Sequence, residues 1–197
     1  MSTSIIKIGK LDAARRQLRT AIALWFHDGD PVSVHMLACA AYQIIHSISK
    51  KRDPSRRDLL FDNALIKDEY RREWNDGLRA HANFFKHVDR DGDAVIDFDP
   101  AFSEMFFFWA ILGRELCGEP PSDEESIFVW WWRIHRPQYL TEDGNLPLAE
   151  AFLGESLAKV KTLTKPEFFE LLSDGSAASR VGRGRGPVGN RSSKGCG

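Results

Sequence analysis

Apolar residues recur along this chain at helical rather than strand spacing. From about Lys10 to Phe26, the residues Leu11, Leu18, Ile22 and Trp25 share one side of a helical projection. His27-Asp28-Gly29 ends this first helix, and Asp30-Pro31 opens the second as N-cap and first-turn proline. The second helix runs to about Ser49, with Val34, Leu37, Ala38, Ala41, Ile44, Ile45 and Ile48 as core candidates. Its small residues, Ala38 to Ala41, permit a close helix–helix approach. A basic loop, Lys50 to Arg57, and a short helix around Leu59 to Asn63 follow. A third long helix spans about Ile66 to Val88. The fourth, about Ala101 to Cys117, is apolar on nearly every face, which places it centrally in a bundle. Ser122-Asp123-Glu124-Glu125 is a capping box that starts a fifth helix through Trp130-Trp131-Trp132 to about Ile134. Looser helical stretches cover about Leu148 to Val160 and Pro166 to Leu172. Strand alternation is missing, so the predicted fold class is all-α, a helical bundle with Phe106, Trp109, Leu37, Ile44 and Trp74 in one core.

Composition sharpens this picture in two places. The 197 residues suffice for one domain, and a hydrophobic share of 43% is that of a globular chain. Residues 1–173 are therefore read as the bundle, and the Gly-, Arg- and Ser-rich stretch 174–197 as a disordered tail with nothing to bury. That tail carries Arg180, Arg183, Arg185, Arg191 and Lys194 against the single acid Asp174. Its net +4 within a total of −1 leaves the body at −5. An acidic body excludes broad, non-specific coating of nucleic acid but leaves room for a local basic site. Three cysteines without a CxxC spacing argue against a disulfide framework or a zinc site. The N-terminal residues lack a signal-peptide core, and the longest apolar run, Met105 to Leu112, is far short of a bilayer span. The expectation is a cytoplasmic protein without a membrane partner.

Candidate chemistry concentrates near the end of the third helix. Arg79, Asn83 and His87 follow one another at i, i+4 steps and share one stripe, with Lys86 beside them. Tyr70, Trp74, Leu78, Phe85 and Val88 fall in a sector on the opposite side, so the stripe is expected to face away from the local core. A basic residue, an amide and an imidazole brought together this way suit phosphate binding or phosphodiester cleavage. They also suit a solvated helix face ending in a histidine that the helix dipole favours.

The hexapeptide Ala82-Asn83-Phe84-Phe85-Lys86-His87 resembles the signature of the HEPN superfamily, which is an Arg, a polar residue, three variable residues and a His late in a long helix. Asn83 and His87 match, whereas the Arg position holds Ala82. The resemblance covers about residues 10–117, leaving 122–172 as additional helices. It implies an all-α, commonly dimeric domain in which His acts on a ribose 2′-hydroxyl and Arg stabilises the phosphate charge, without a metal. With Ala82 in place, the resemblance implies a divergent and inactive relative that binds RNA or a nucleotide as a homodimer. Arg79 and Lys86 would then supply the charge and Arg79, Asn83 and His87 any catalysis. Whether the chain is an enzyme stays open, the alternative being a metal-independent endoribonuclease. Ala82→Arg would restore the family residue.

Other motifs carry less. Asp89 to Pro100 mimics a calcium loop but has Ala94 and Pro100 where Gly and Glu are required. His35, His46 and His81 lack the Glu-x-x-His partners of a bundle metal site, so no metal or cofactor is expected. His81 reads as a hydrogen-bonded core residue and His35 as a packed or cleft residue. Trp130-Trp131-Trp132-Arg133 points three rings in three directions. Two are expected to be buried, and the exposed one offers a surface for a protein partner. The rival to nucleic-acid binding is accordingly a helical interaction or scaffolding module.

Overall fold

The computed structural model describes residues 5–87, 92–140 and 157–173. Among them lie seven α-helices and no strand, as the helical periodicity requires: α1 Lys10–Phe26, α2 Pro31–Arg52, α3 Arg71–Lys86, α4 Phe102–Leu116, α5 Asp123–His135, α6 Leu157–Lys161 and α7 Lys165–Ser173. The tail, Val88 to Asp91 at the head of the calcium-like loop, and most of the stretch expected between Leu148 and Val160 lie outside the described residues.

Local signals set the starts of α2 and α5. The Asp30 carboxylate accepts the Ser33 amide at 2.7 Å with Pro31 behind it, so α2 begins where the sequence places it. Ser122 and Glu125 close a reciprocal capping box at the head of α5. The stretch around Leu59–Asn63 is a turn rather than a helix. It still buries Leu59, Leu60 and Phe61, and the Phe61 amide donates to the Tyr42 hydroxyl at 3.2 Å.

By length and composition alone α2 could cross a membrane, but its apolar sides are taken up by α1 on one flank and α4 on the other. The α2–α4 approach depends on one residue. A Cβ at Gly113 would lie 2.6 Å from the Ile45 Cγ2 methyl, so the two helices meet at a distance only glycine allows. α5 and α7 cover the far side of α1, where Trp25 meets Phe128 and Trp131 edge-on and Phe26 stacks on Phe168.

Phe106 sits at the centre, fully buried among His35, Tyr42 and Phe102. Phe106→Ala is expected to cost about 3–5 kcal/mol, read from urea denaturation. Of its expected companions, Trp109, Leu37 and Ile44 pack against the core half-buried. Trp74 does not join it, for reasons that lie in α3.

Candidate functional site

A short 3₁₀ turn, Asp68–Tyr70, leads into α3. Arg71 then ties the helix to the preceding loop, donating to the carbonyls of Asn63 at 3.1 Å and Ile66 at 2.7 Å while pairing with Asp68. The Trp74 indole N–H donates to the Leu60 carbonyl at 3.0 Å. These anchors hold α3 so that Leu78 and Ala82 face inward, at 4% and 2% exposure. Trp74 and Tyr70, expected on the buried side, remain 37% and 55% exposed. The helix is thus turned relative to the sector that its apolar residues alone define.

Of the expected stripe, Arg79, Asn83 and Lys86 stay on the helix, and His87 does not. Arg79 lies half-buried where α3 meets the turn beside α2, with its guanidinium carbon 4.3 Å from the centre of the Phe61 ring. Asn83 is exposed one turn further on, as is Lys86. His87 has left the helix: it is the C-cap, in extended conformation, with an exposed side chain. Ala82, at the position where the family signature has Arg, is inside the protein. Cys39, buried on the facing side of α2, senses the positive charges of Lys86 and Arg79. Burial is the larger influence and pushes its thiol up, out of the reactive range.

Beside Phe61 is a pair that the sequence did not reveal. His46 Nε2 lies 2.9 Å from Asp62 Oδ2, and Lys50 Nζ lies 3.6 Å from the same oxygen. The Phe61 ring that carries Arg79 packs edge-on against His46, 5.2 Å between centroids, and against Tyr42 at 4.8 Å. Burial lowers the His46 pKa first of all. Asp62 works in the opposite direction, while Arg79 and Lys50 add to the lowering. His46 is therefore an imidazole oriented by Asp62, whose charged form burial disfavours. Local spacing could not find this pair, because Asp62 sits on an irregular turn that only the packing of Leu60 and Phe61 brings back to α2.

Chemically, this edge of α3 offers an ammonium at Lys86 and a guanidinium at Arg79, neither paired with a carboxylate among the described residues. Arg79 and Lys86 are seven residues apart on one helix, about 10 Å along its axis. Such a pair can engage two anionic oxygens, and Asn83 lies between them to donate. No group of three His, Cys, Asp or Glu side chains suited to a metal ion occurs among the described residues.

A second feature lies on α5. Trp131 is buried, whereas Trp130 and Trp132 are both half-buried, one ring fewer inside than expected. Trp132 stacks on Phe108 at 4.5 Å and on Tyr139 at 5.8 Å, forming a three-ring ladder at the surface. Arg133 lies over Trp130 at 5.2 Å, and burial lowers its pKa. Comparison of the chain with family models, with curated proteins and with solved structures returns no match, so the geometry of these two sites carries the functional reading.

Proposed function

We propose that this chain is a divergent HEPN-like protein that binds RNA or a nucleotide through its phosphates, along the α3 edge marked by Arg79, Asn83 and Lys86, without cleaving it. The observation that carries the reading is Arg79, whose guanidinium is oriented by Phe61 and has no carboxylate partner among the described residues. A cation held in place by an aromatic face loses little freedom on meeting a phosphate. The buried Ala82 supports the non-catalytic form, because no guanidinium can stand there. The proposed assembly is a homodimer that meets on the outer face of α3. There Tyr70, Trp74 and Phe84 stay exposed around Gly77, where an added Cβ would meet nothing within 4 Å.

The test is binding of labelled single-stranded RNA across a salt series. Arg79→Met keeps an apolar cover on Phe61 while removing the charge, and Lys86→Gln does the same at the second position. Each is expected to weaken binding about tenfold and to lower the salt slope by about one. His87→Ala should change binding little. Cleavage by the native chain in EDTA that His87→Ala abolishes would replace this reading with the metal-independent endoribonuclease. The Phe108–Trp132–Tyr139 ladder favours a second reading, a protein-interaction module. Absence of RNA binding together with a monomer in sedimentation would leave that reading in its place.

A further inference from the structure

His35, one turn into α2, is fully buried, and rings wall it in on every side. Phe98 lies 5.0 Å away between centroids, Phe106 5.4 Å, Phe102 6.0 Å, Phe85 6.1 Å and the imidazole of His81 6.0 Å. These neighbours come from α3, α4 and the segment that joins them. His35 Nδ1 reaches the Ser103 hydroxyl of α4 at 3.2 Å, while Nε2 is buried with no partner. His81 repeats the arrangement from α3: Nε2 donates to the Asp97 carbonyl at 3.2 Å, and Nδ1 is buried and unpartnered. We propose that this histidine pair is an acid-released latch that fastens the C-terminal half of α3 to α2 and α4.

An imidazolium in this enclosure would have to be solvated or paired. On α3 the titratable neighbour is His81, whose charge would repel it, and the next cations along, Lys86 and Arg79, reach Cys39 one turn further down α2. On α4, Glu104 is engaged with Arg136 at 3.1 Å. On the joining segment, Asp97 offers His81 its backbone carbonyl, and the Asp99 carboxylate caps the Ala101 amide at 2.9 Å. No carboxylate among the described residues is placed to receive the proton's charge. The neutral ring suits the cage, and the charged ring is accommodated only if Phe85 and Phe98 move aside and admit water. Phe85 belongs to the element that the latch would release, and Phe98 to the segment that follows it.

Burial first, and His81 second, hold the His35 pKa down, from its ordinary 6.5 to about 4. The open form binds the proton better, so opening is favoured progressively as pH falls from 6.5 toward 4. At pH 5 the two values differ enough to raise the opening equilibrium roughly 30-fold over neutral pH. The buried carboxyls of Glu104 and Glu125 are pushed up by burial and gain stability over falling pH, so they oppose this loss and cannot be its source. Because α3 carries Arg79 and Lys86, release would dismantle the phosphate-binding edge proposed above. In that respect alone the regulatory consequence rests on the proposed function.

Hydrogen–deuterium exchange of residues 71–87 at pH 7.5 and pH 5.0, corrected for the chemical pH dependence, reads the latch without any ligand. The native chain should open roughly 30-fold more at pH 5, with α1 unchanged. His35→Phe fills the cage with a ring that cannot charge and should hold the change within about threefold. His35→Asn, which keeps a donor toward Ser103, should behave the same way and serves if the first variant does not fold. Equal acid responses in the native chain and in either folded variant would overturn the latch. So would a response shared by α1, or no response at all. A chain that shows the exchange change yet never binds RNA keeps the latch and discards the phosphate-binding reading.

Discussion

Ala82→Arg is expected to unfold the junction of α2 and α3 rather than create a catalytic site. Sequence alone makes this substitution look like a repair, because it restores the residue the family signature has at that position. The structure reverses the expectation: Ala82 is 2% exposed and points into the core beside Leu78. A longer side chain there forces off-rotamer packing worth about 1–3 kcal/mol. Burying its guanidinium without a partner adds several kcal/mol more. The sum, on the order of 5 kcal/mol, is comparable with the whole stability of an ordinary domain. Thermal melting of the purified variant is the measurement. A native-like midpoint would mean that α3 turns Ala82 to solvent, and the packing of α3 on α2 would have to be redrawn.

The second large effect is expected at the other end of α4. Arg114 is 2% exposed and pairs with Glu125, which is fully buried, and with the Glu119 carboxylate at 3.2 Å. Glu125 also accepts the Ser122 amide at 2.8 Å, so one side chain closes the α5 cap and neutralises a buried guanidinium. Glu125→Ala removes both functions and should cost about 3–5 kcal/mol, since it leaves a charge inside with only its outer partner. Replacing the pair together, Arg114→Met with Glu125→Leu, should recover most of that loss, because the desolvation of both ions disappears with them. Urea midpoints of the single and double variants decide it. A double variant as weak as the single one would show that the cap, rather than the charge, holds α5 in place.

The starts of α2 and α5 were legible because each has a local cause, whereas α3 begins at Arg71, five residues after the expected Ile66, without a side-chain cap. Asp30-Pro31 and the Ser122–Glu125 box act within four residues, and the nearly all-apolar α4 has no place but the centre. The orientation of α3 was not legible, because it is fixed from outside the helix. Carbonyls of Leu60, Asn63 and Ile66, on an irregular loop, hold Trp74 and Arg71 and set which side turns inward. Periodicity weighs Tyr70 and Trp74 as core because they are large and apolar. The hydrogen bond at the indole N–H instead keeps Trp74 at the rim. The candidate site inherits this division. Arg79, Asn83 and Lys86 share an edge as their spacing requires, whereas His87 escapes the stripe by ending the helix. The His46–Asp62 pair depends on a turn that has no periodicity to read.

The contact between Gly113 and Ile45 also constrains how this architecture can vary. Any side chain at position 113 would drive into the Ile45 methyl, and that methyl is shared by valine and isoleucine alike. Chains that keep the same α2–α4 spacing must therefore change the two positions together, gaining a Cβ at 113 only where 45 no longer places a methyl there. A glycine held in the last turn of an apolar helix, against its poor helical propensity, is thus one half of a two-residue signature. That coupled pair would mark a distant relative even where overall sequence similarity has faded.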